Sequence, residues 1–231
     1  MNSIKNNEIL KTSITPDGIF RLVLSNPDDQ NVLSEEMMSN IQSALDESIN
    51  TKRIRVIIIS AEGPIFSAGH DLKELTRKRQ DSDNGKSYYQ KIMKKCSKLM
   101  QSIVNNPKPV IAEINGVATA AGCQLIASCD LAYASNLSKF ATPGVNIGLF
   151  CSTPMVAVSR NISNKHSMEM LLGGDLITAE KAEKIGLINK SIDKAILKEE
   201  TLKMALKISK KSALTLKIGK EAFYKQINMN L

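Results

Sequence analysis

The chain has 231 residues, 42% apolar and 23% charged, the composition of one large or two small globular domains. No apolar run approaches the roughly 18 residues a membrane span needs. The opening MNSIKNNEILK has neither the apolar core of a signal peptide nor the Arg-rich pattern of a transit peptide. The expectation is a cytoplasmic protein. The net charge of +8 is concentrated in residues 181–231, where twelve Lys face five acidic residues and there is no Arg, a local +7. These lysines lie on helical patterns without interleaved aromatics, which argues against sequence-specific nucleic-acid binding and suits solvated helix faces or a phosphate-bearing small molecule.

In chain order, Glu8–Thr15 and Gly18–Leu24 alternate around Pro16-Asp17-Gly18, a hairpin pattern. Ser34 is a helix N-cap followed by Glu35 and Glu36, with Met37, Ile41, Leu45 and Ile49 as the apolar stripe. Arg55–Ser60 is a β-branched run that reads as a strand buried on both faces. A Gly-Pro turn then leads to Ile65-Phe66-Ser67, a bend at Ala68-Gly69-His70 and a helix start near Asp71. Residues 76–90 are polar and read as a mobile loop. A long helix follows, with Ile92, Cys96, Leu99 and Ile103 on one face, stopped at Asn105-Asn106-Pro107.

Residues 111–130, IAEINGVATAAGCQLIASCD, organise the chain. They read as a strand over 109–113, a turn at Asn115-Gly116, and a helix of small residues from Thr119 onward. Such a helix either packs tightly in an α/β core or brings its unpaired first N–H groups against a developing negative charge. Beyond it come a strand over Leu131–Ala134, a strand end and turn over Phe140–Gly144, and a helix opening at Cys151. Helices are expected over 165–172, 179–185 and 193–224, the last breaking near Ser212, with a short strand at Leu187–Asn189. Strands alternating with helices make this an α/β chain with a helical tail.

Cys96, Cys123, Cys129 and Cys151 form no C-x-x-C pair, and His70 and His166 are the only histidines. No structural zinc site is expected. Cys123 and Cys129 read as small core residues in a reducing compartment.

Two outward-facing backbone turns, Ala68-Gly69-His70-Asp71 and Ala121-Gly122-Cys123, carry a resemblance. RVIIISAEGPIFSAGHDLKEL, PVIAEINGVATAAGCQLIASCDLAYAS and LITAEKAEKIGLINK resemble, in order, three segments of the crotonase (enoyl-CoA hydratase/isomerase) superfamily. The mitochondrial enoyl-CoA hydratase domain-containing branch and its bacterial relatives also share SAGHDLKEL, ATAAGCQL and ATPGVNIGLFCSTP. The resemblance covers residues 8–226. It implies a spiral of ββα units with two sheets over 1–190 and a helical region over 191–231. It also implies a CoA thioester as ligand with no further cofactor, a bacterial cytoplasmic or mitochondrial matrix location, and a homotrimer or dimer of trimers. The family's chains continue past the point matching Leu231, so a shortened helical region is expected to bear on that assembly.

Carried over by position, the backbone N–H groups of His70 and Ala121 hold the thioester oxygen. Ala68, His70, Asp71, Leu72 and Lys73 form the CoA-contacting stretch, although Lys73 is equally read as a solvated helix lysine. The family's two hydratase glutamates fall on Gln124 and Gly144, and neither is a carboxylate. Gln can hold a water but not take its proton, and each general acid–base group contributes about 10²–10⁴-fold. Hydration is therefore expected to be slow. Cys151 reads either as a substitute acid, base or nucleophile or as a small buried residue. Asp71 and Asp130 match structural positions. Glu113 is expected in a buried pair, and His166 at the surface. The resulting expectation is an acyl-CoA-processing protein that stabilises a thioester enolate. The alternative is a non-catalytic acyl-CoA binder, with RNA binding through the lysine-rich tail as a third reading.

Overall fold

The computed structural model describes residues 9–227 and Met229. Strands β1 (Leu10–Ile14) and β2 (Ile19–Leu24) form the expected antiparallel hairpin; Glu8 lies outside the described residues. Helix α1 (Glu35–Asn50) starts at Ser34, whose hydroxyl accepts the Met37 N–H at 3.1 Å. Its buried stripe is Met37, Met38, Ile41, Ala44, Leu45 and Ser48; Ile49, expected on the stripe, is exposed because Ser48 takes the core-facing position of the last turn. Next come β3 (Val56–Ala61), β4 (Ile65–Ser67), α2 (Leu72–Arg77), α3 (Lys86–Val104), β5 (Val110–Ile114), β6 (Val117–Thr119) and α4 (Ala121–Ser128). The chain continues through β7 (Leu131–Ser135), β8 (Lys139–Ala141), α5 (Ser152–Val158), α6 (Asn164–Gly173), β9 (Ile177–Thr178), α7 (Ala179–Ile185), β10 (Lys190–Ile192), α8 (Leu197–Ser209) and α9 (Ala213–Gln226).

From β3 to β8 the strands alternate between two sheets. The larger runs β1-β2-β3-β5-β7-β10 and is parallel beyond the hairpin; the smaller runs β4-β6-β8-β9. Each turn of the resulting spiral leaves the large sheet, bends sharply and enters the small one. The bends stack through side-chain bonds to backbone. Asn31 Nδ2 donates to the carbonyls of Glu62 and Ile65, Asn115 Nδ2 to that of Gly63, and the Ser138 hydroxyl to that of Ile114. At Gly116 a Cβ would lie 1.9 Å from the Pro64 carbonyl oxygen, so only glycine fits where one bend crosses the next.

The large sheet is apolar on both faces, as its β-branched run requires. Ile57 and Ile59 of β3 join the main core with α1, α3 and α4. Val56 and Ile58 point to the other face and pack with Ile19, Ile111, Tyr133 and Leu197 of α8. On that second face Arg21 clamps Glu113 through two bonds of 2.9 and 3.0 Å, the buried pair expected for Glu113. No helix among the described residues is long and apolar enough to cross a membrane.

Several expectations are corrected. Residues 76–90 are not a loop. They contain the end of α2, a 3₁₀ turn at Lys78–Gln80 and the start of α3, ordered because Asp83 accepts from the N–H groups of Gly85 and Ser87 and Tyr89 donates to the Leu75 carbonyl. Thr119, expected to open the helix of small residues, instead ends a strand over Val117–Thr119 that pairs with β4 and β8, and the helix begins at Ala121. The short strand expected at Leu187–Asn189 falls instead at Lys190–Ile192, paired with β7, while Leu187 and Ile188 fill the core. One tail lysine is not a solvated face residue: Lys220 is buried and bonds Asp130 at 2.7 Å.

Removing Arg21 leaves the Glu113 carboxylate buried without its cation, which costs about 3–5 kcal/mol for comparable buried pairs. Arg21→Ala is expected to lose about that much in denaturant unfolding, and Arg21→Ala with Glu113→Ala to recover most of it. Additive losses in the double variant would show that the two side chains are not coupled.

Candidate active site

Two backbone segments meet at the centre of the spiral. The first leaves β4 at Ser67 and turns through Gly69 (φ +91°). A strap before α1 holds it: the Ala68 N–H donates to Gln30 O at 3.1 Å and the Leu33 N–H to Gly69 O at 2.7 Å. The second leaves β6 at Thr119 and enters α4 at Ala121. A Cβ at Gly69 would lie 3.0 Å from the Ala121 nitrogen, and one at Gly122 would lie 2.4 Å from the Ser67 carbonyl oxygen. The Thr119 hydroxyl donates to the Ala68 carbonyl at 3.1 Å. The two turns therefore touch backbone to backbone, which explains why α4 opens with small residues.

Ala120, between strand and helix, has φ +49° and ψ −119°. That conformation costs a non-glycine residue about 1–3 kcal/mol. It is imposed from both sides: the Ala120 N–H is bound by Ala141 O at 3.0 Å, and its carbonyl accepts the Gln124 N–H at 3.1 Å. The next N–H, of Ala121, is the first of the helix. No acceptor among the described residues takes it, nor the backbone N–H of His70. These are the two N–H groups singled out in the sequence.

The His70 ring is largely buried, and neither nitrogen makes a well-formed hydrogen bond. Burial lowers the imidazole pKa, opposed in part by the neighbouring Leu33 backbone, so the ring is neutral at neutral pH. Asp71 is occupied locally, capping α2 by accepting from the N–H groups of Lys73 and Glu74. Leu72 is exposed. The Lys73 side chain is 80% exposed and pairs with Asp29 at 2.9 Å.

The third segment is the turn after β8. Gly144 donates its N–H to the Cys151 thiol at 3.3 Å, and a Cβ at Gly144 would lie 2.9 Å from that sulfur and 2.7 Å from the Leu149 carbonyl oxygen. The loop 144–151 thus closes over Gly144, which the sequence resemblance matches to a family glutamate. Cys151 is buried, and desolvation raises its thiol pKa despite the Gly144 bond. Cys123 donates to the carbonyls of Ala118 and Ala141, and its pKa is pushed up to about 12 by burial. Gln124 is buried and takes a weak thiol contact from Cys96 of α3 at 3.9 Å. Thr142, not singled out in the sequence, sits fully buried beside this turn with its hydroxyl unpartnered. A polar residue closing the apolar strand Phe140-Ala141 was the available signal.

The remaining candidates fall outside this meeting point. Asp130 accepts from the Val110 N–H, Lys220 Nζ and the Tyr224 hydroxyl, tying α9 to the body. His166 lies at the start of α6 beside Glu169. All four cysteines are free thiols, and among the described residues no cluster of three His, Cys, Asp or Glu side chains is arranged to hold a metal.

The chain matches the enoyl-CoA hydratase/isomerase family over residues 15–231. It is 50% identical over 215 residues to human mitochondrial enoyl-CoA hydratase domain-containing protein 3, covering 93% of this chain and 69% of that one. The crystal structure of that human protein superposes with a TM-score of 0.91 at 48% identity, covering 96% of this chain and 86% of the other. An enoyl-CoA hydratase from Mycobacterium smegmatis superposes with a TM-score of 0.92 at 38% identity, covering 97% and 86%. The two-sheet spiral described above is the fold these structures share.

Ala120→Gly removes the backbone strain and is expected to raise stability by about 1 kcal/mol after the entropy cost of glycine; an unchanged or lower melting temperature would show that the turn is not strained. His70 gives a pH signature. The unfolded chain takes a proton near the ordinary imidazole value of 6.5, while the folded ring resists it, so stability falls as pH drops through that value. The wild type is expected to lose melting temperature between about pH 7.5 and 5 more steeply than His70→Phe. Parallel curves would rule out a buried, proton-resisting imidazole.

Proposed function

The chain belongs to the enoyl-CoA hydratase/isomerase family, and from that premise we propose that it binds an acyl-CoA thioester with the carbonyl oxygen between the N–H groups of His70 and Ala121. The observation that carries this reading is the pair of unclaimed N–H groups on two abutting, rigidly held turns. A thioester carbonyl gains negative charge when an α-proton leaves. Fixed backbone donors then favour the enolate, and loss of one such donor costs about 2.7–4 kcal/mol in comparable sites. Ala68, His70, Asp71, Leu72 and Lys73 line the approach for the CoA portion, with Lys73 at the mouth for its phosphates.

The same residues argue against water addition as the reaction. Gln124 takes no proton from water near neutral pH, Gly144 has no side chain, and burial keeps the Cys151 thiol protonated. The neutral imidazole of His70 adjoins the turn, which suits moving a proton at the α-carbon without adding water. Absence of a carboxylate at both positions also favours a second reading, binding of acyl-CoA without turnover. An oligomer of this chain belongs to the same proposal, since Ile147, Leu149, Phe150 and Met155 are exposed along one stretch.

Deuterium exchange at the α-carbon of octanoyl-CoA separates the readings. Enolate chemistry predicts exchange well above the buffer rate, with hydration of but-2-enoyl-CoA remaining about 10²-fold or more below that of a two-glutamate hydratase. Binding without exchange selects the binding-only reading. Rapid hydration would overturn the proton-transfer argument, and failure to bind any acyl-CoA would overturn the proposal.

A further inference from the structure

We propose that Arg55, Lys108 and Lys217 form an anion site at the entry edge of the large sheet, and that its ligand is a phosphate group. The site lies at the opposite end of β3 from the bend that leads to Gly69, and it stands apart from the thioester reading. Strand register builds it. Ile57 of β3 lies opposite Val110 of β5, and the Ile57 N–H donates to Pro109 O at 2.9 Å. Two residues earlier on each segment, Arg55 therefore stands beside Lys108, with neighbouring strands about 4.8 Å apart. Helix α9 adds the third cation. Lys220 Nζ donates to the Lys108 carbonyl at 3.2 Å, and Lys217 lies one helical turn before Lys220 on the same face. On the other side of Arg55 the row continues with Gly18, whose carbonyl accepts the Arg55 N–H at 2.8 Å and which adds no side chain.

Like charges facing one another on adjacent strands are destabilising, yet none of these three cations forms an ion pair among the described residues. Arg55 and Lys108 are half-buried, and Lys217 is exposed. Burial first, then the charges of Arg55 and Lys217, push the Lys108 pKa down. The acidic residues of the neighbouring elements do not neutralise the group. Asp130 is taken by the Val110 N–H, Lys220 and Tyr224. Glu221, one turn along α9 from Lys217, bonds Lys225 at 2.6 Å and feels Lys217 more weakly. Asp17, in the β1–β2 turn, is exposed. A cation that serves the fold looks different here: Lys220 Nζ donates to Ile103 O, Lys108 O and Asp130. Lys108 bonds through its main chain alone, and the ammonium groups of Lys108 and Lys217 have no acceptor among the described residues. Arg55 gives one Nη2 donor to the Lys211 carbonyl, which leaves the rest of its fork unused. Retained repulsion and unused donors, gathered from three segments, suit a compact anion with several acceptor oxygens, as a phosphate group is.

Titration of the full chain with inorganic pyrophosphate and with uridine 5′-diphosphate tests this, with sodium chloride at matched ionic strength as the control for screening. Both phosphates are expected to raise the melting temperature where chloride does not, with saturable binding in calorimetry. Lys108→Gln removes one of three repelling cations. It is expected to raise the melting temperature of the anion-free protein and to weaken pyrophosphate binding about tenfold or more. A lysine kept for the fold would instead lower the melting temperature when replaced. Lys217→Gln, at an exposed position, is expected to act the same way and serves where the first variant does not fold. Lys86→Gln, at the far end of α3, is expected to leave pyrophosphate affinity unchanged. Tighter binding of the nucleotide than of pyrophosphate would assign the site to a nucleotide-borne phosphate, and the reverse to a free one. Stabilisation no greater than that by chloride would overturn the site. So would pyrophosphate affinity that survives both the Lys108 and Lys217 variants, or that falls equally in Lys86→Gln. None of these outcomes bears on octanoyl-CoA exchange, which tests the thioester reading alone.

Discussion

The backbone of Ser67–Gly69 lies directly against that of Thr119–Gly122, and the rest of the structure is arranged to hold that contact. A methyl group at Gly122 would enter the Ser67 carbonyl, and one at Gly69 would meet the Ala121 nitrogen. The spiral supplies the force. β4 and β6 are hydrogen-bonded neighbours in the small sheet, so their ends arrive side by side. The strap at Gln30–Leu33 and the β8 end at Ala141 then fix each turn from outside. The strained Ala120 follows from this closure: its N–H and carbonyl are both committed, and the residue between them has no freedom to relax. The N–H groups of His70 and Ala121 thereby sit on two abutting turns held by backbone contacts and by the bond from the Thr119 hydroxyl to the Ala68 carbonyl.

Polar satisfaction divides the interior into two kinds of region. Where buried charge serves the fold, it is fully paired: Arg21 with Glu113 across the sheet, and Lys220 and Tyr224 with Asp130 at the root of α9. Near the two turns the pattern reverses, with both ring nitrogens of His70 and the Thr142 hydroxyl buried and unpartnered. Native structures seldom leave such groups unsatisfied, and each exception asks for an explanation. On the acyl-CoA reading proposed above, a ligand oxygen seated at this meeting point would supply one.

Much of this was legible in the sequence wherever a pattern had one physical meaning. Ser34 ahead of Glu35 and Glu36, the β-branched run into Ile59 and the break at Ser212 each allowed one local structure. The two turns were legible because small residues before a helix signal a close approach. What escaped depended on partners distant in sequence. Val117-Ala118-Thr119 is too short and too rich in small neighbours to read as a strand by itself, although Val117 and Thr119 are β-branched, and it pairs with β4 and β8 on either side. Polar residues 76–90 look like a loop until Asp83 and Tyr89 find the backbone groups they bind. Lys220 reads as a solvent-facing lysine, and nothing local reveals that Asp130 waits ninety positions earlier. Thr142 gives no sign that its hydroxyl will lack a partner.

At positions 124 and 144, onto which the family resemblance carries two glutamates, the packing disfavours a carboxylate. At position 144 there is no room to restore a side chain, because the Leu149 carbonyl and the Cys151 sulfur occupy the volume its Cβ would need. The sulfur in turn is held there by the Gly144 N–H. With that position closed, a carboxylate at 124 would stand buried beside Cys96, whose own thiol is pushed up to about 12 by desolvation and offers no positive charge. An ionised group there would carry a large desolvation cost without a counter-charge. Glutamine keeps the shape and the hydrogen-bonding capacity of glutamate while removing that cost. The closed loop at 144–151 and the uncharged surroundings of Gln124 therefore both disfavour a carboxylate beside the two turns.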